Sequence, residues 1–380
     1  MEAFSHSLHT HENDSGWKPN KYIAAFILAI SILAVFLAMS GSPNQDIIKG
    51  EVKQIKAERI VDSVAGMKVK EQDLSVEVMV DREKKEIAVM NDFTPIRVGD
   101  KIFLQGSLFG DEEAFEIKDI SREKGVFVLT ALFIILVFAT SGWRGFYSLI
   151  GLIFSLSVIF VFIVPLILKG LNPIFVGIAG SFLILLVTLY LSHGLTKKSI
   201  SAFIGIILSL LFTGILANLA VQAMRFTGFS NEGALYLNME TGSPFNLVGL
   251  LTAGIIIAAI GILDDVAVTQ SSTVFSIASA NSSLKGMPLY KKAMSVGKDH
   301  ISAVINTLVL AYTGAALPLV LLLTLRNTPV DFFLSFEMVS EEIVRTLIAS
   351  SGLLLAVPIT TAIAVFFRQY KFKRSKLLVN

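Results

Sequence analysis

Eight apolar runs alternate with short polar stretches along this 380-residue chain. They are Tyr22–Met39, Gly125–Thr140, Phe146–Leu168, Asn172–Leu191, Ile200–Met224, Leu247 to about Thr269, Ile301–Leu325 and Ile343–Phe367. A helix needs about 20 apolar residues to cross ~30 Å of hydrocarbon, so each run predicts a spanning helix. The long polar interval after the first run follows another period. Leu74, Val76, Val78 and Val80 interleave with Ser75, Glu77 and Met79, the alternation of a half-buried strand. Similar runs at Gly50–Ile55, Glu86–Met90, Lys101–Leu104 and Ala114–Ile120, punctuated by Asn91-Asp92 and Val98-Gly99-Asp100, predict about five strands. The expected fold is thus an α-helical polytopic membrane protein of about eight transmembrane helices. A small β-barrel-like domain of OB or SH3 type lies between helices 1 and 2.

Composition supports the membrane reading: 53% of residues are hydrophobic, 16% are charged and the mean hydropathy is +0.70, against about 25% charged residues in soluble domains. Charge placement then sets orientation. With the N-terminus inside, fourteen Lys and Arg fall on the cytoplasmic side, among them Lys18, Lys21, Lys197, Lys198, Lys291, Lys292 and the tail from Arg368. The other side receives only Lys169, Arg225, Arg326 and Arg345 outside the β-rich segment. Both termini are therefore expected in the cytoplasm. The resulting map is a disordered N-terminus at 1–20, an anchor at 21–40, an extracytoplasmic β-rich domain at 44–122, a seven-helix domain at 125–368 and a basic tail at 369–380. The first run, about 18 residues, exceeds a signal-peptide core and reads as an uncleaved anchor.

The stretch Ser40–Lys124 holds 14 basic and 18 acidic residues and no aromatic ladder, which argues against nucleic acid as a partner. Cysteine is absent, removing disulfides, thiolate nucleophiles and Cys-type zinc sites. No cofactor is expected.

Candidate chemistry concentrates in one run. Asp264 and Asp265 follow Gly261-Ile262-Leu263 in a stretch, Leu247–Asn281, that has no Lys, Arg, Glu or Pro. Ionisable residues in a span are costly and default to function. Helical spacing puts Asp265 on one stripe with Gly254, Ala258, Gly261, Thr269 and Ser272, small residues that let a neighbouring helix approach closely. Two adjacent carboxylates at such depth are not both ionised without a cation. Asn306 and Thr307 in the next span, and Pro358, Thr360 and Thr361 in the last, fall at comparable depth. Pro358 frees the carbonyl of Leu354, predicting a helix break there. Asp265, Asp264, Thr269, Asn306, Thr360 and Thr361 are accordingly the expected ion- or substrate-binding residues. The opposing reading of the same residues is interhelical hydrogen bonding that only holds the bundle together.

Other patterns carry less. His6, His9 and His11 beside Asp14 form a histidine-rich patch in a polar segment. His300 follows Asp299 at a helix start and is a weak relay candidate. Glu341, Glu342 and Arg345 have the spacing of routine helix ion pairs. Val268 denies the aspartate pair a DDxxD diphosphate motif. No second span supplies the aspartate an intramembrane protease needs. GxSxG, HExxH and Walker motifs are missing, so an enzyme is not expected.

The strings Gly261-Ile-Leu-Asp-Asp-Val-Ala-Val-Thr-Gln-Ser-Ser, Gly297-Lys-Asp-His-Ile, Asn306-Thr-Leu-Val-Leu-Ala-Tyr and Ala356-Val-Pro-Ile-Thr-Thr resemble the YibE/F family of bacterial multi-pass membrane proteins. The resemblance runs over essentially the whole chain, implies a plasma-membrane location and names no substrate. Two functions remain open. One is a secondary transporter or ion-coupled permease that moves a proton or cation through Asp265. The other is a non-transporting envelope scaffold or receptor whose β-domain binds a protein partner. Partners beyond the lipid bilayer, and oligomeric state, are not legible.

Overall fold

The computed structural model describes residues 19–39, 47–62, 68–80, 83–92, 95–109, 112–230, 232–241, 245–326 and 329–369. The His6, His9 and His11 patch and the tail at 370–380 lie outside the described residues. The chain divides into two compact units, Phe36–Gly142 and the combination of Met1–Val35 with Trp143–Asn380.

The first unit is built on five strands: β1 (Ile47–Asp62), β2 (Lys68–Val80), β3 (Glu83–Asn91), β4 (Lys101–Phe109) and β5 (Glu112–Ile120). They form one antiparallel sheet in the order β3-β2-β1-β4-β5. The outer strands β3 and β5 also touch, so the sheet curls toward closure. Strand β1 serves two neighbours, pairing with β4 over Ile47–Glu51 and with β2 over Gly50–Asp62. Register shifts at Val52/Gln54 and Ile55/Ala57 bend it between them. Where β1 crosses, a Cβ at Gly50 would stand 2.5 Å from Val76 Cγ1, so only glycine fits. Leu74, Val76 and Val78 point inward as the alternation predicts, packing with Val52, Val89, Ile96, Ile102 and Leu104. The side chain of Val80 lies outside the described residues. Ser75, expected outside, is buried and hydrogen-bonds Glu86. Buried Gln72 is fully used: it donates to Ile96 O (3.0 Å) and Glu58 Oε1 (2.8 Å) and accepts from Asn91 Nδ2 (2.9 Å) and Ile96 N (2.8 Å). This one side chain pins the β3–β4 connection to β2.

The remaining elements are helical: α1 (Lys21–Met39), α2 (Glu123–Ser157), a π-helical turn (Val158–Ile163), α3 (Val164–Leu168), α4 (Pro173–His193), α5 (Lys197–Ala223), α6 (Glu232–Thr241), α7 (Leu247–Ala280), α8 (Gly286–Ala315), α9 (Leu317–Leu325), α10 (Val330–Ser335) and α11 (Glu337–Gln369). Among the described residues, five stretches are long and apolar enough to cross a membrane: Glu123–Leu168, α4, α5, α7 and α11. Helices α8 and α9, bent by 63° at their junction, make a sixth if they count together. The 46 residues of Glu123–Leu168 would measure about 69 Å if straight. Gly142, at φ 54° and ψ −138°, interrupts them between two of the predicted apolar runs. Caps follow the sequence. Asn172, Thr196 and Asn246 accept from the first free amides of α4, α5 and α7.

Helix α7 is central, packing against α4, α5, α8 and α11. Its Ile256, Ile260 and Leu263 bury against Leu185, Leu189, Ile206 and Leu210. Helices α5 and α11 run antiparallel and interlock reciprocally, Gly205 receiving Thr360 and Gly352 receiving Thr213. Ser271 Oγ donates to Lys198 O at 2.8 Å, placing this point of α7 level with the first turn of α5. Beyond that level α7, α8 and α11 continue together on Val274, Ala278, Leu289, Ala293, Ala364 and Val365.

Candidate functional site

Asp264 and Asp265 sit midway along the 34 residues of α7, and Asp265 lies about 9 Å from the level of Ser271. The two carboxylates differ in surroundings. Asp265 is exposed, on the stripe it shares with Gly254, Gly261 and Thr269, which are exposed as well. A close-packed helix was expected on that stripe. The structure corrects this: among the described residues nothing lies within 4 Å of a Cβ added at Gly254 or Gly261. Asp264 turns toward the packed side, and its Oδ1 is buried without a hydrogen-bond partner.

Two imidazoles from neighbouring helices lie within electrostatic reach of Asp265: His300 of α8 and His193 at the end of α4. Arg144 and Lys198 act in turn on His193. Antiparallel pairing of α7 with α8 carries His300 to the level of Asp265. The turn after His193 carries α4 to the same end. Asp265 of one helix is thereby linked electrostatically to one imidazole from each of two others. Among the described residues no group of three or more His, Cys, Asp or Glu is placed to hold a metal.

A second polar cluster lies inside the bundle. Gln270 Nε2 donates to Thr361 Oγ1 (2.7 Å) and to Ala293 O (3.1 Å), joining α7, α11 and α8. Thr361 donates onward to Val357 O at 2.6 Å. The helices meet closely here because residue 297 is glycine: a Cβ would stand 2.6 Å from Val357 Cγ1 and 2.9 Å from Gln270 Oε1.

The residues singled out from sequence thus fall into separate places. Asp265 and Thr269 share the open face of α7, and Asp264 adjoins them. Thr361 joins Gln270. Thr360 is fully buried against Gly205, with Oγ1 lacking a partner. Asn306 is exposed on α8. Pro358 does not break the last helix, a correction to the expectation, since α11 runs through it from Glu337 to Gln369. The anticipated meeting of Asp265, Asn306 and the Pro358–Thr361 segment is replaced by a buried Gln270–Thr361 contact and an exposed Asp265. Sequence reasoning missed Gln270, Gly297 and His193. A lone amide among apolar and hydroxyl residues shortly past the acidic pair was the available signal for Gln270.

Several long apolar helices, packed around a central helix that carries an acidic pair, are consistent with a membrane protein. A family model, that of the YibE/F-like protein, matches residues 129–370, more than half of the chain. The chain belongs to this family. No curated protein and no solved structure matches it.

Proposed function

We propose that the chain is a proton-coupled permease of a bacterial plasma membrane, in which Asp265 takes up and releases the proton. The observation that carries this reading is the exposed Asp265 on a central helix, within electrostatic reach of His193 and His300. An ionisable group in a span is costly to place and defaults to function. Asp265 is open, and its neighbours are the side chains best suited to exchange protons near neutral pH. Asp264 adjoins Asp265 on the packed side, Thr269 adds a hydroxyl one turn away on the same face, and Asn306 is a further polar group on α8. Gln270, Thr360 and Thr361 hold the helices.

In the proposed topology the chain crosses eight times, with both termini cytoplasmic. Residues 21–40 form the first pass and residues 125–368 the other seven. The bend at α8–α9 lies within one pass, and Gly142 separates two. Residues 44–122 then form an extracytoplasmic barrel, its strand order and the β3–β5 contact favouring the OB type over SH3.

The test is flux. Proteoliposomes loaded with a pH-sensitive dye should report proton movement after a pH jump for the wild type. Asp265→Asn should lose it while eluting and unfolding as a folded protein. Equal flux in both removes the mechanism. A second reading, an envelope scaffold, is favoured by the independent core of the sheet unit. It requires that deleting residues 44–120 abolish function in the cell while Asp265→Asn alters stability only.

A further inference from the structure

At the end of the bundle away from Lys197 and Lys198, a cavity of about 720 Å³ opens between α6, the start of α7, the α8–α9 bend and the start of α11. Its walls are largely apolar, with Leu247, Leu251, Pro318, Leu319 and Met338. Three charged groups face it, all from the first turns of α11: Glu341, Glu342 and Arg345. Their spacing suggested ordinary ion pairs, but the three do not neutralise one another. Arg345 Nη1 pairs with Glu342 Oε1 at 3.3 Å. Glu341 is left over. It is 6% exposed, Ser230 hydrogen-bonds its carboxylate, and Oε1 is buried with no partner. Arg345 Nε is likewise buried and unpartnered.

We propose that this cavity binds a small organic cation, an ammonium group on an apolar body, with Glu341 as its counter-ion. A buried acceptor without a donor is costly, and an N–H of the ligand supplies that donor. The lining carries two carboxylates against one guanidinium, so it is matched by a single positive charge. Size excludes a bare ion as the natural occupant: the volume lies in the range of small-molecule pockets, about 300–1,000 Å³. The apolar walls take the body of the ligand, and Arg345 Nε offers a donor to any acceptor near the ammonium. Gly254, which lines the cavity, is about 16 Å along α7 from Asp265. The site is separate from the carboxylate–imidazole cluster and does not depend on its role.

Phenethylammonium is a suitable probe, added to the detergent-solubilised full chain during thermal unfolding. The midpoint should rise saturably with phenethylammonium and stay flat with tetraethylammonium, a cation without N–H, and with sodium at equal ionic strength. Glu341→Gln should weaken the response roughly tenfold or more. Leu319→Trp, which fills the cavity from its rim, should abolish it even if the Glu341 variant fails to fold. Asp265→Asn should leave it unchanged. No saturable rise, an equal rise with tetraethylammonium or sodium, or an undiminished rise in a folded Glu341→Gln variant would each overturn the proposal.

Discussion

The interlock of α5 with α11 makes a quantitative distinction between two glycines that look equivalent in sequence. A Cβ at Gly352 would meet Thr213 Oγ1 first, with Cβ and Cγ2 of that threonine at 3.4 and 3.5 Å. A Cβ at Gly205 would meet Thr360 Oγ1 first as well, but Thr360 Cβ and backbone Cα stand behind it at 3.0 and 3.1 Å. Each Gly→Ala change gains about 1 kcal/mol of helix propensity. Each also incurs overpacking of about 1–3 kcal/mol. At residue 352 the obstruction is one hydroxyl, so Thr213→Ala removes it and the remaining contacts are ordinary. A double-mutant cycle for Gly352→Ala with Thr213→Ala should therefore show a favourable coupling of about 1–3 kcal/mol, close to the whole steric cost. The cycle for Gly205→Ala with Thr360→Ala should recover clearly less, because Thr360 Cα stays in place and α11 itself must move. Reversible unfolding of the full chain in mixed micelles gives the four free energies of each cycle. Additivity at Gly352/Thr213, or complete rescue at Gly205/Thr360, would refute the packing described.

Two predictions concern the sheet unit. Gln72→Met takes away the side-chain acceptor of buried Ile96 N, so the unit should lose about 1–3 kcal/mol. Limited proteolysis within β2 and β3 should then accelerate, and an unchanged rate would contradict the network. Hydrogen bonds from Lys70 to Glu58 and from Lys53 to Glu51 hold both carboxyls below the usual carboxylate range. Their folded values lie below the unfolded ones, so the stabilisation is present above about pH 4.3 and is lost as pH falls through the folded values. Both groups are exposed and the effect is small. Hydrogen-exchange protection of β1 and β2, corrected for intrinsic rates, should decline on acidification, and a rise would reverse the sign of the argument.

Much of the architecture was readable because it follows from one-dimensional periods. The alternation at Leu74–Val78 marks a buried face, and Asn172, Thr196 and Asn246 stand where their helices begin. Separation along a helix was also accessible, since it needs only a residue count, as from Asp265 to Ser271. Which neighbour each face of the helix meets was not. Gln270 is five residues beyond Asp265, which rotates it about 140° away, so Thr361 reaches the amide and not the carboxylate. Whether a stripe of small residues meets a helix depends on where other helices lie, and for Gly254 and Gly261 that information is tertiary. Glu341 was equally opaque: its spacing to Arg345 permits an ion pair, and competition from Glu342 at 3.3 Å takes the guanidinium instead.

Direct observation of Asp265 changing protonation state tests the central claim most closely. Infrared difference spectra of the reconstituted chain, taken between neutral and mildly acidic buffer, should contain a carboxylic-acid carbonyl band that disappears in Asp265→Asn and persists in Glu341→Gln. Spectra of wild type and Asp265→Asn that superimpose would show that this carboxylate does not exchange a proton, and the proposed permease mechanism would be wrong.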